Sequence, residues 1–256
     1  MSLINLQRLN VVGFIIVVTL NVLANALPLN GYNTGELSDF YPNLFVPSGF
    51  TFSIWGVIYS LLLVFIIYQM RSWWSKKEVD LGIVRAIGPW FFISCMANAS
   101  WIMAWHYLQT LLSVLIMLMI LTSLRIIYLR IGTGKSIAMP SSDKWAVRLV
   151  FSIYFGWITV ATIANVTAVL VANGWTGGGL DPVIWTVIML AIATLIGGLM
   201  LWKYKDAPYA FVLVWAFFGI YSRHNGNPDV QLIAYTCLAG MVVLGLGALY
   251  RLRAWV

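Results

Sequence analysis

The chain has 256 residues, 61% of them hydrophobic and only 9% charged, with a formal net charge of +7. Soluble domains average roughly 45–50% apolar and about 25% charged residues, so this composition cannot cover a water-facing surface. It excludes a cytoplasmic enzyme, a disordered chain and a nucleic-acid binder, and the question becomes where the 15 Lys and Arg sit.

A membrane helix needs about 20 largely apolar residues. Eight stretches qualify or nearly so: 9–28, 50–70, 86–105, 108–129, 148–172, 182–202, 208–222 and 230–250. In the first, Asn21 and Asn25 stand at i, i+4 on one face. Arg8, the apolar run and Ala24-Asn25-Ala26 also resemble a cleavable signal peptide, but the run is long for one. Cleavage would leave seven spans. The loop over 29–49 is punctuated by Asn30, Gly31, Gly35, Pro42, Pro47 and Gly49. The second span carries Phe52, Trp55 and Tyr59 at i, i+3, i+7, and the third repeats the spacing with Asn98, Trp101 and Trp105. The fifth repeats it again with Tyr154, Trp157 and Ala161, and Asn165 follows one turn later. Gly174, Gly177, Gly178, Gly179 and Pro182 break the chain before the sixth span, where Ala193 and Gly197 permit close helix contact. The seventh is short, bounded by Pro208 and Arg223.

Charge tests the count. With the N-terminus in the cytoplasm and sides alternating, 14 of the 15 basic residues fall inside and only Arg223 outside. The outer loops instead carry Glu36, Asp39, Asp181 and Asp229. The positive-inside rule demands this asymmetry. The expectation is an all-α integral membrane protein, an eight-span helical bundle with both termini cytoplasmic.

Several features mislead. Gly132-Thr133-Gly134-Lys135-Ser136 imitates a phosphate-binding loop, but Leu129 stands where its first Gly belongs. Asn98-Ala99-Ser100 and Asn165-Val166-Thr167 match the glycosylation sequon inside spans, where it cannot be modified. Cys95 and Cys237 read as small buried hydrophobes. His106 and His224 lie at outer span ends and read as solvated interfacial residues rather than a haem clamp. No Lys, Asp or Glu stands inside a span, which argues against a retinal Schiff base or a proton pump. No nucleophile–base pair or metal cluster supports ordinary catalysis.

Of the 13 Trp, Trp73, Trp74, Trp105, Trp145, Trp175, Trp202 and Trp255 fit the interfacial aromatic belt. Trp55, Trp101, Trp157 and Trp215 lie deeper. Polar groups in lipid are costly, so Asn98 and Asn165 should face the bundle and bring the aromatic stripes with them. The topology sets most of this group in the outer half of the bilayer, beneath the 29–49 loop. Two readings stay open: an aromatic pocket for a flat or greasy ligand, or helix packing, which spacing alone favours.

The same residues carry a family resemblance. Residues 47–59, Pro-Ser-Gly-Phe-Thr-Phe-Ser-Ile-Trp-Gly-Val-Ile-Tyr, resemble the second-helix entry of the translocator protein / tryptophan-rich sensory protein family (TspO/MBR). Trp157 to Asn165 is similar to that family's fifth-helix W-x-[SA]-x-A-T-x-x-N, and Asn98-Ala99-Ser100-Trp101 to its third-helix N-x-x-W. The chain departs from the pattern where a second proline should join Pro47, at Ile153, and after Trp101.

The resemblance covers about residues 9–172. It implies that 1–175 form a five-helix bundle and that 176–256 add three further spans. It also implies an integral membrane ligand-binding or sensory protein, with no required cofactor, whose ligand is a porphyrin, another tetrapyrrole or a similar apolar aromatic molecule. The ligand-binding positions would be Trp55, Tyr59, Asn98, Trp101, Tyr154, Trp157, Ala161 and Asn165. The alternative functions are a transporter of a neutral or amphipathic solute and an enzyme that consumes porphyrin. The expected partner is the lipid bilayer, and the small residues leave open whether their close contact is within the chain or with a second copy. The expected location is a bacterial inner membrane.

Overall fold

The computed structural model describes residues 1–27, 29–76, 79–132 and 140–255, with side chains as far as 252. The phosphate-loop look-alike therefore lies, beyond Gly132, outside the described residues. Among the described residues there is no strand. Eight main helices occupy the eight apolar stretches: α1 Leu3–Ala26, α2 Ile54–Met70, α3 Trp90–His106, α4 Thr110–Arg130, α5 Leu149–Ala172, α6 Pro182–Tyr204, α7 Ala207–His224 and α8 Gln231–Trp255. Six are long and apolar enough to cross a membrane, which makes the chain an integral multi-pass protein. The other two are α3, with 17 residues, and α7, whose 18 residues end on the polar Tyr221-Ser222-Arg223-His224.

Local chemistry starts and stops these helices. Asp181 caps α6 by accepting from the Val183 amide at 2.7 Å, with Pro182 in the first turn, where its missing N–H is not needed. Lys205 ends α6 in the left-handed region (φ 52°), and Asp206 then accepts from the Tyr209 amide at 3.1 Å to open α7. This tight turn makes α6 and α7 sequential neighbours.

Packing divides the chain into two units. One comprises Met1–Thr34 and Ile54–Phe155, the other Gly35–Ser53 and Gly156–Val256. The cuts differ from the motif boundary at 175: one falls inside α5, and two bracket the segment 35–53.

In the first unit α1 packs on α3, α3 on α4 and α2 on α1. Its core holds three fully buried rings, Phe65, Phe91 and Phe151, from α2, α3 and α5. Their centroids lie 5.0, 5.1 and 5.9 Å apart, all edge to face. That geometry suits the ring quadrupoles.

In the second unit α8 packs on both α7 and α6. Small residues allow the approach. A Cβ on Gly197 would sit 2.8 Å from Leu244 and 2.9 Å from Leu213. The Ala193/Gly197 face is therefore used within this chain. A Cβ on Gly240 would come to 2.5 Å of the Phe217 ring and 3.1 Å of the Thr194 hydroxyl. Without water to drive burial, such van der Waals contact supplies much of helix association in a membrane.

Gly240→Ala should therefore cost about 1–3 kcal/mol through overpacking, read as a lower thermal midpoint in detergent. Phe217→Leu in the same chain should recover part of the loss. An unchanged midpoint for the single variant would refute the close approach.

Candidate functional site

Three helices of the first unit converge on Asn98, which is wholly buried on α3. Its amide donates to the Tyr154 hydroxyl on α5 at 2.8 Å. Its carbonyl oxygen accepts from Asn21 on α1 at 3.2 Å. Asn21 also donates to the Val17 carbonyl at 2.9 Å. The polar residues expected to face the bundle do so because no water there could bond them.

An aromatic cluster lies against this chain. Trp55 stacks on Tyr59 (5.5 Å, 17°) and meets Tyr154 edge-on (6.1 Å, 69°). The Tyr59 hydroxyl is buried beside Asn98 without a well-formed hydrogen bond. One turn along α3, Trp101 stacks on Trp105 (5.7 Å, 15°). Trp55, Tyr59, Asn98 and Tyr154 are thus brought together, with Trp101 on the adjoining turn.

Trp157, Ala161 and Asn165 continue α5 in the second unit. Trp157 and Asn165 are buried and Ala161 is half-buried. Phe52 presents its edge to Trp157 at 6.1 Å and 86°. The i, i+3, i+7 stripe is therefore aromatic and largely buried along both parts of α5.

The first loop is built in two halves. Residues 29–34 close on the end of α3. One tautomer of the buried His106 serves both its contacts, Nδ1 donating to the Leu29 carbonyl at 3.0 Å and Nε2 accepting from the Thr34 hydroxyl at 3.2 Å. Trp105 donates its indole N–H to the Thr34 carbonyl at 3.3 Å.

Residues 35–53 close on α7. Arg223 reaches Asp39 at 2.7 Å, and His224 donates through Nε2 to the Leu44 carbonyl at 2.8 Å. The Ser48 amide donates to the Gly219 carbonyl at 3.0 Å, and Trp215 donates to the Thr51 carbonyl at 3.0 Å. Gly219 leaves the necessary room, since a Cβ there would collide with the Thr51 hydroxyl.

Two expectations need correction. Both histidines are buried loop anchors rather than solvated residues, because loop carbonyls leaving a helix end need donors. Trp105 is buried against Trp101 rather than set in the interfacial belt.

A second polar cluster was not foreseen. At the opposite end of α1, Asn10 donates to the Gln69 side chain at 2.9 Å. Gln7 reaches Ser72 at 2.9 Å and accepts from the Trp73 indole at 2.9 Å. The i, i+3 pair Gln7/Asn10, opposite a lone Gln69 in an apolar run, was the available signal.

Chemically, the Asn98 cluster offers aromatic faces and amide and hydroxyl groups, with no charge. Among the described residues no group of His, Cys, Asp or Glu could hold a metal ion. Its ring faces and few polar atoms are all uncharged. The family described as TSPO-like protein matches residues 7–250. Neither a curated protein nor a solved structure matches.

Asn98→Ala should cost about 1–3 kcal/mol by stranding buried groups, seen as a lower thermal midpoint. Tyr154→Phe should cost less, since it leaves Asn21 bonded. Equal effects would refute the central role of Asn98. Burial and the neighbouring Arg223 push the His224 pKa below its ordinary value, against a smaller opposing pull from the Leu44 hydrogen bond. A depressed histidine stabilises the fold above its unfolded pKa of about 6.5 and loses that contribution as pH falls. Thermal midpoints should therefore stay flat above pH 7 and decline below it. His224→Gln should flatten the decline; the same slope in both proteins would refute the assignment.

Proposed function

Because the chain belongs to the TSPO-like protein family, we propose that it is a membrane ligand-binding or sensory protein that holds a porphyrin-like or other apolar aromatic ligand within its helices. We take it to cross the membrane eight times with both termini inside, with residues 1–175 as the family's five-helix portion, and to reside in a bacterial inner membrane. The observation that carries the reading is the Trp55–Tyr59–Asn98–Tyr154 group. It is aromatic and uncharged, and one buried hydroxyl in it makes no well-formed bond.

Each residue has a part in this reading. Trp55 and Tyr59 present a stacked pair whose faces suit a planar ring system. The Tyr59 hydroxyl supplies a directional contact to a ligand nitrogen or carboxylate. Asn98 and Tyr154 hold those rings in place through their mutual hydrogen bond. Trp101 adds a ring on the adjoining turn of α3, and the family motifs assign Trp157, Ala161 and Asn165 to ligand binding as well. The absence of charge favours a ligand that enters from the lipid.

Protoporphyrin IX titrated into the purified protein in detergent should quench Trp fluorescence saturably. Trp55→Phe and Trp157→Phe should each weaken binding roughly 2- to 10-fold, the share of one aromatic contact. Absence of saturation, or quenching and affinity untouched by both substitutions, would overturn the proposal.

A further inference from the structure

The second unit contains a cavity of about 800 Å³ to which none of the family-motif residues contributes. Its walls come from residues 39–44, the end of α5, the 175–181 loop, the start of α6 and the end of α7. The lining is mostly apolar, and one wall is a pair of indoles. Trp175 and Trp185 meet edge to face with centroids 4.5 Å apart. The Trp185 indole N–H is buried and has no acceptor. Both side chains are half-buried and line the cavity.

The charges around the cavity do not balance. Asp39, Asp181, Asp229, Arg223 and His224 all line it. Arg223 is already committed to Asp39 at 2.7 Å. His224 is bonded to the Leu44 carbonyl at 2.8 Å, and burial disfavours its charged form. Asp181 uses one oxygen to cap α6, and among the described residues neither it nor Asp229 has a cation within ion-pair distance. Two carboxylates thus remain beside two indole rings. A carboxylate attracts a cation, and so does the face of an indole.

We propose that this cavity is a second ligand site, separate from the Asn98 cluster, that takes an apolar aromatic organic cation. The volume accommodates a molecule with several rings. The indoles supply the apolar wall, and Asp181 and Asp229 supply the charge. An anion of the same shape meets those two carboxylates, while Arg223, the one Lys or Arg among the described lining residues, is occupied.

Tetraphenylphosphonium and tetraphenylborate have nearly the same shape and opposite charge. Each is titrated calorimetrically into the full-length protein in neutral detergent. The expected result is saturable, stoichiometric binding of the phosphonium and only unsaturable partitioning of the borate. Asp181→Asn with Asp229→Asn should weaken the phosphonium about tenfold or more. Asn caps a helix as well as Asp, so α6 keeps its start, and the helical circular dichroism checks this. The comparison of the two ions in the unaltered protein decides without any variant. Equal binding of both ions, no saturable phosphonium binding, or binding indifferent to the double substitution in a folded protein would each overturn the proposal.

Discussion

Inside a bilayer no water is available to a polar group, so each buried donor and acceptor must find its partner in the protein. This constraint organises the first unit. The Asn21–Asn98–Tyr154 chain joins three helices, and the Gln7–Gln69 cluster joins two at the other end. Asn21 and Asn98, and Asn10 and Gln69, are thereby tied to specific neighbours on other helices. A helix that rotated or slipped would strand these groups. Register is therefore set by hydrogen bonds, while the Phe65–Phe91–Phe151 contact fills the space between them.

The second unit relies more on shape. Gly197 and Gly240 let α6, α7 and α8 come so close that a methyl group would not fit. Gly219 does the same for the segment that carries Thr51. Its polar work is concentrated at the α7 terminus, where Arg223 and His224 gather loop carbonyls and Asp39. Both histidines of the chain do the same job on different helices: a ring nitrogen satisfies a loop carbonyl that has left regular structure.

Much of the architecture was legible before any coordinates. Apolar runs bounded by Gly and Pro marked all eight helices, because length and breakers decide that question locally. Asn21 and Asn98 could be read as inward-facing from the cost of a bare amide in lipid. Their shared partner could not: Tyr154 lies 56 residues from Asn98, and only tertiary packing brings them together. Trp105 was misread because the lipid face and the protein face of a membrane helix are equally apolar. Composition then cannot say which way an aromatic ring points. Gly219 carried no signal at all, since a glycine that admits a neighbouring hydroxyl looks the same as one that does not. The cavity beside Trp175 was not legible for a related reason: Trp175 fits a belt residue, and nothing in the sequence pairs it with Trp185.

The path of the chain between its units bears on what the last three helices do. The segment 35–53 holds the first of the motif residues, yet it is seated on α7, through Gly219, Trp215, Arg223 and His224. The family match itself runs to residue 250, and without α7 this segment would lose the surface on which it rests. The last three helices are thus not an appendage that could be shed at leisure. Any variant without α7 would need other anchors for the carbonyls of Leu44, Pro47 and Thr51.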